Sequence, residues 1–298
     1  MEHQHVAAGA GTVPDRAWTS SHAFRTVCVA TVDLARAVRL GGHVEFTAAA
    51  DRYDRFMGRY TATLAPALAD AAGVAPGMTV VDVGCGPGGL TAELARRVGA
   101  EDVAAIDPAP QFAAACRERN PGADVREGVA EELPWADGAF DAALSCLVVA
   151  FMRDADRGVR EMARVTRPGG TVAACMWDVP GGGMTMLHLF WTAARELDAD
   201  VTGERERPGV REGDLARRFE AAGLADVEQG ALHATAHYES FDDFWLPFTF
   251  GVGPVGQHLA SLPPQRREQL RERCREAVPA GPFSLDARAW YARGTVPG

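Results

Sequence analysis

Val80-Val-Asp-Val-Gly-Cys-Gly-Pro-Gly-Gly89 is the stretch from which the rest of the chain is read. A β-branched apolar run that carries Asp82 and breaks into Gly84, Gly86, Gly88 and Gly89 predicts a buried strand, a tight turn and a helix opening at Leu90. Glycine serves where the backbone takes positive φ or comes close to a ligand. The start of the helix adds unpaired N–H groups and the positive end of its dipole. Together these predict a nucleotide-like cofactor site.

Downstream, short apolar runs alternate with helical patterns. Val103 to Ile106 reads as a strand ending at Asp107-Pro108, and Pro110 opens a helix that runs to Arg119. Asp107 lies one β-α-β unit after the glycines, where a carboxylate accepts both hydroxyls of a ribose; the other reading is a strand-end acid capping the next helix. Asp124 to Gly128 is a short strand, and Phe140 to Val149 a long apolar one, expected at the centre of the sheet. Asp154 or Asp156 caps a helix halted at Pro168-Gly169-Gly170, and Thr171 to Trp177 forms the next strand. Strands separated by helices mean a parallel sheet covered on both faces, with ligands at the carboxyl ends of its strands.

After Gly181-Gly182-Gly183 the character changes. Met184 to Leu197 reads as a helix, Thr202 to Arg211 as a charged loop, and Asp214 as the cap of a helix ending at Gly223. Asp226 to Tyr238 alternates as a strand. Ser240-x-x-Asp243 resembles a capping box, Pro264 to Ala277 is a charged surface helix, and Phe283 to Tyr291 is a last strand. Tyr238, Phe241, Phe244, Trp245, Phe248 and Phe250 concentrate six aromatics in a chain that is 8% aromatic. They form either a satellite core or the wall of an apolar pocket.

Upstream, Tyr53, Phe56, Met57, Tyr60, Leu64 and Leu68 repeat at helical spacing, with a kink expected at Pro66. This is an amphipathic helix burying a stripe. A helix just before the first core strand also covers that strand's carboxyl end, which makes Tyr53 and Arg59 candidates to lie over the cofactor. Residues 1–44 contain no cofactor-like motif and are expected to be a poorly ordered or peripheral extension. The division is therefore 1–44, a cofactor-binding core over 45–178, and a part over 179–298 that completes the sheet and caps the site.

Composition narrows the partners. A net charge of −10 argues against a nucleic-acid backbone or an anionic membrane and favours a small molecule. All 30 basic residues are arginine, which excludes a lysine nucleophile or Schiff base. The 6 cysteines lack CxxC spacing and read as reduced, no set of metal ligands stands out, and no uncharged run is long enough to span a membrane. A cytoplasmic protein, monomer or homodimer, is expected.

Gly84, Gly86 and Gly89 also satisfy the dinucleotide spacing GxGxxG, so an NAD-dependent oxidoreductase has to be weighed. Asp82, two residues before the first glycine, and the tight Cys85-Gly86-Pro87 loop count against it. The stretch from Asp51 to Asp178 resembles the class I S-adenosylmethionine-dependent methyltransferases, in the small-molecule branch of ubiquinone and menaquinone biosynthesis. The resemblance rests on VVDVGCGPGGLT, AAIDP, GVAEELPW, FDAALSCLVV and EMARVTRPGGTVAACMWD, which occur in order at the family's spacing.

The resemblance implies a Rossmann-like, doubly wound, mostly parallel seven-stranded α/β sheet with a helical and aromatic substrate cap in the C-terminal half. It implies S-adenosylmethionine as methyl donor and S-adenosylhomocysteine as product. Gly84, Gly86 and Gly88 would pass beneath the methionine part, with Cys85 in the same loop, Asp82 near the amino group, and Asp107 and Pro108 at the ribose. Phe112 would lie against adenine, Ala130 and Glu131 at its edge, and Cys146 and Leu147 beside the sulfonium. Many members carry Asp where this chain has Val129, which shifts the adenine amino contact toward Glu131.

Nucleic-acid amino-methyltransferases end the fourth strand with Asp or Asn, then Pro-Pro and an aromatic. This chain has Ser145-Cys146-Leu147-Val148 there, against a nucleic-acid substrate. The expected acceptor is a hydrophobic or aromatic small molecule, with Trp177, Trp191, Phe241 and Trp245 as contacts. His188, His233 and His237 are the candidate bases. A cofactor-binding protein that transfers no methyl is the remaining alternative.

Overall fold

The computed structural model describes residues 50–298. The extension expected over 1–44 lies outside the described residues. The sheet is built from β1 (Val80–Val83), β2 (Val103–Asp107), β3 (Asp124–Glu127), β4 (Phe140–Cys146), β5 (Thr166–Trp177), β6 (Ala225–Tyr238) and β7 (Phe283–Thr295). Their order is β3-β2-β1-β4-β5-β7-β6. β1 to β5 pair in parallel, while β7 is inserted antiparallel between β5 and β6. This is the mostly parallel seven-stranded α/β sheet that the resemblance implies, and its parallel part is the one the alternation predicts. Val80, Val81 and Val83 are buried because a strand covered on both faces has no solvent side.

The helices carry the connections: α1 (Arg59–Ala71), α2 (Gly89–Val98), α3 (Pro110–Arg119), α4 (Ala155–Val165) and α5 (Thr185–Leu197). α6 (Asp214–Ala221), α7 (Phe241–Trp245), α8 (Gly253–Ser261) and α9 (Pro264–Glu276) follow. After β1 the chain builds β2 and β3 on one side, then crosses to lay β4 on the other. A crevice opens at such a reversal, outside the carboxyl ends of β1 and β4.

Several boundaries depart from the local reading. α1 runs through Pro66 without interruption, and the irregularity lies upstream in a π turn over Asp54–Gly58. β4 stops at Cys146, since Leu147 takes φ +66, a left-handed conformation that ends a strand. β5 begins at Thr166, not Thr171: Phe140 pairs with Thr166 and Ala142 with Thr171, so the Pro-Gly-Gly segment is a bulge absorbed by the ladder. β7 runs to Thr295 because partners on both sides continue to satisfy its backbone. Asp154 and Ser240 cap as expected, accepting from the backbone N–H of Arg157 and of Asp243. Gly213, not Asp214, is the N-cap of α6.

The C-terminal aromatics resolve into a core. Phe190 of α5 lies 4.8 Å from Phe248 and 6.4 Å from Trp245, ring centre to ring centre, and Tyr238 stacks on Phe283 at 5.3 Å. Tyr60 of α1 joins the two halves through a 2.8 Å hydroxyl contact with Tyr238. Among the described residues no helix is long and apolar enough to cross a membrane.

Candidate active site

The turn after β1 is held against β2 by its own backbone. Gly84 and Cys85 both donate to the Ile106 carbonyl, at 2.8 and 2.9 Å, and Gly86 N–H donates to Asp107 Oδ2 at 2.9 Å. Ala109 N–H meets Asp107 Oδ1 at 2.8 Å, so the carboxylate closing β2 is oriented from both ends while each oxygen keeps a lone pair. Gly86 has φ +53, and among the described residues nothing lies within 4 Å of where a Cβ would stand. Its backbone is open to the crevice.

Two connected cavities occupy the crevice. One of about 560 Å³ runs beside Asp82, Cys85 and Cys146, at the foot of α2. The other, about 530 Å³, begins at Asp107, Pro108, Phe112, Ala130 and Glu131 and continues to Trp177, Leu187 and Val255. Tyr53, Gly84, Gly86 and Leu147 line both and stand at their junction. Leu147 is held in its left-handed conformation by donating from its N–H to the Cys175 carbonyl at 2.9 Å. Such backbone strain gathers at ligand sites.

The acids of the crevice differ in what satisfies them. Asp82 is fully buried; Thr91 Oγ1 donates to its Oδ2 at 2.7 Å, whereas Oδ1 has no partner among the described residues. Burial pushes its carboxyl up to about 8, against the Thr91 hydrogen bond. Burial also raises Asp107, opposed by the N–H groups of Ala109 and Gly86. Glu131 Oε1 accepts from Arg153 and Asp154 N–H at 2.6 and 3.0 Å, leaving Oε2 for another donor. Tyr53 packs edge-on against Phe112 at 5.2 Å, and burial raises its hydroxyl above the ordinary phenol value.

Other residues singled out in the sequence lie elsewhere. Gly88 lines neither cavity: it has φ +99 and a Cβ there would stand 2.4 Å from Asn120 Nδ2, so it is glycine to let α2 and α3 close together. Arg59 also lies outside them. It pairs with Asp243 at 3.1 Å, donates to the His237 carbonyl and lies 4.4 Å over the Tyr238 ring, clamping α1 to β6 and α7.

None of the three histidines lines a cavity. His233 and His237 are exposed on β6, as alternate residues on the outer side of a strand are, and His237 Nδ1 contacts Ser284 Oγ at 3.3 Å. His188 packs beside Gly182. Phe241 and Trp245 stack on each other in the aromatic core, with Arg275 4.3 Å over Phe241. Trp191 lies behind the cavity wall, and of the four aromatic acceptor candidates Trp177 alone reaches the cavity itself.

One acid in the cavity wall escapes the sequence reading. Glu204, 6% exposed, lines the cavity that Trp177 and Val255 also line, and accepts from Trp191 Nε1 at 3.3 Å. It belongs to Gly-Glu-Arg-Glu-Arg-Pro-Gly, whose charge density reads as solvated loop. Nothing local separates Glu204 from Glu206 two residues on, which is exposed.

Comparison with known proteins gives this geometry a context. A family model described as a methyltransferase domain matches residues 81–174. A demethylmenaquinone methyltransferase of Mycolicibacterium gilvum is 35% identical over 222 residues, covering 70% of this chain and 85% of the relative. Another, from Mycolicibacterium paratuberculosis, is 36% identical over 202 residues, covering 67% and 82%. Among solved structures, the YcgJ protein of Bacillus subtilis matches with a TM-score of 0.52 at 17% identity, over 78% of this chain and 98% of that one. A methyltransferase solved in complex with a methyltransferase activator from Haloferax volcanii gives 0.53 at 21% identity, over 86% and 100%. At such identities the structural match carries the fold.

Proposed function

The chain belongs to the S-adenosylmethionine-dependent methyltransferases, and on that premise we propose that it moves a methyl group onto a small, hydrophobic or aromatic molecule held in the cavity that runs from Asp107 to Val255. One observation carries the reading. At the reversal of strand order an open glycine backbone lies between two buried acids, one with an unpartnered oxygen and the other already oriented by two N–H groups.

These residues fit the donor. The unpartnered Oδ1 of Asp82 is an acceptor for the ammonium of a methionine moiety. A buried carboxylate without a partner is costly, and a cation beside it offsets that cost. The free lone pairs of Asp107 suit ribose hydroxyls, Phe112 and Ala130 give a flat apolar bed for adenine, and Glu131 Oε2 suits its amino group. Leu147, at the junction of the cavities, and Cys146, in the wall of the cavity beside Asp82, are suited to contact the sulfonium.

When bound, S-adenosylmethionine supplies a carbon already activated by its sulfonium, so the reaction is an in-line displacement. The protein's task is to hold the acceptor in line and exclude water. Leu187, Val210, Val252 and Val255 are suited to this, being apolar and buried around the far end of the cavity. Those walls, and relatives named demethylmenaquinone methyltransferases, support an acceptor of hydrophobic character.

Calorimetric titration with S-adenosylhomocysteine tests the donor, and tracing labelled methyl into a small-molecule extract tests the transfer. Saturable binding with no response to NAD, and label in an apolar product, are expected. Binding of NAD in its place would overturn the donor reading. Binding of S-adenosylhomocysteine without transfer to any acceptor would overturn the enzymatic one.

A further inference from the structure

The cavity that runs from Asp107 to Val255 contains, among its apolar walls, one acid that nothing in the donor reading uses. Among the residues lining the cavity, Tyr53, Asp107, Glu131 and Arg153 are its other titratable groups, and the last three cluster around the cofactor half. Glu204 shares the cavity wall with the buried Leu187, Val210 and Val252. Its only hydrogen bond among the described residues is the 3.3 Å one from Trp191, and it has no ion-pair partner within 4 Å. A carboxylate with so little compensation costs stability. Buried acids of this kind in a cavity wall are characteristic of sites that use them.

Its loop is also held in position. Arg207 donates to the Ala150 carbonyl at 3.2 Å and lies 5.2 Å over the Phe151 ring, fastening the segment across the chain that follows β4. On the other side Trp191 fixes the carboxylate to α5. The charged and polar groups acting on Glu204 are therefore Arg207 from its own loop and the Trp191 indole from α5.

We propose that Glu204 is the catalytic base of the methyl transfer and that the acceptor is an aromatic molecule with an ionisable hydroxyl, of phenol or enol type, which donates its proton to this carboxylate. The inference rests on the methyltransferase reading and deepens it. Glu204 takes the hydroxyl proton, and the oxygen pair so freed forms the new bond to the methyl carbon. The carbon–sulfur bond breaks with its pair on sulfur, which becomes a neutral thioether. Glu204 returns its proton to solvent as product leaves. A neutral hydroxyl enters these apolar walls at a lower desolvation cost than an ammonium does, and an amine is one outcome of the test below.

Burial pushes the Glu204 carboxyl up to about 7, against the opposing pull of Arg207 and the Trp191 hydrogen bond. That suits a base at neutral pH.

The test measures labelled methyl transfer from S-adenosylmethionine to 1-naphthol, catechol and 1-naphthylamine, between pH 5 and 9, with the full chain. For the wild type we expect transfer to the phenols, with kcat/KM rising tenfold per pH unit below about 7 and levelling above. Glu204→Gln should lose that rise and about 100-fold or more in kcat/KM, while binding S-adenosylhomocysteine within twofold of wild type. Trp191→Phe removes the hydrogen bond that favours the charged carboxylate and should move the rise to higher pH without abolishing it. This second variant keeps the proposal testable if Glu204→Gln fails to fold. Equal transfer by Glu204→Gln, or wild-type transfer to the amine alone, would overturn the role of Glu204 and leave the methyltransferase reading standing. No transfer to any of the three would overturn the acceptor class, and S-adenosylhomocysteine binding then reports separately on the donor site.

Discussion

Asp82 shows what a single residue reveals at two levels. Its position before the glycines is visible in the sequence, but that Oδ1 has no partner is visible only once Thr91 has taken the other oxygen. Because burial raises its pKa to about 8, the folded protein holds a proton that the unfolded chain loses near pH 4. Folding therefore takes up a proton between about pH 4 and 8, and stability falls as pH rises through that window. Asp82→Asn should melt above the wild type at pH 8.5 without ligand, with the difference closing toward pH 4. The same variant should bind S-adenosylhomocysteine roughly 10- to 100-fold more weakly at pH 8, the loss of a hydrogen bond to a charged group. Unchanged affinity would remove Asp82 from the donor site. Asp107→Ala should cost about 1–3 kcal/mol of the same binding, measured by calorimetry. Gly88 teaches the opposite lesson: a motif glycine is explained here by the packing of α2 on α3.

At the scale of elements, most strands and helices were legible, because apolar period and turn residues are local signals. The failures are also physical. The bulge over Pro168-Gly169-Gly170 looks like a break until Phe140 and Ala142 are seen to pair across it. The stripe of α1 predicted burial but not what its charged residue would meet, and Arg59 meets Asp243 and the Tyr238 ring. Arg59→Met should lower stability by roughly 1–2 kcal/mol, from a partly buried ion pair and a cation–π contact. S-adenosylhomocysteine affinity should stay within twofold. A fall in affinity at unchanged melting temperature would instead return Arg59 to the cofactor. The aromatic run after Tyr238 could be core or pocket on spacing alone, and it is core because Phe190 and Phe283, distant in sequence, close over it.

At the scale of the molecule, the last strand is the one that joins the sheet. β7 lies between β5 and β6, with Cys175 facing Tyr291 on one side and Gly230 facing Tyr291 on the other. A chain ending at residue 281 would expose both flanking edges, and unpaired edges invite association. It should yield aggregate by gel filtration and fail to bind S-adenosylhomocysteine. A monodisperse, binding-competent truncation would show that 50–281 folds without β7.

The sequence by itself determined the fold class and the glycine turn and acids proposed to hold the donor. Both are written in contiguous residues whose effects are local: β-branched strands, glycines that permit a tight turn, and an acid one β-α-β unit later. The tertiary structure decided the cavity proposed for the acceptor. Trp177, Leu187, Glu204 and Val255 come from the end of β5, from α5, from a charged loop and from α8, and they meet around one cavity. Whether an acid in a charged loop is solvated or buried depends on what folds over it, and Glu204 is buried because Trp191 and Val210, brought in by long-range packing, close around it.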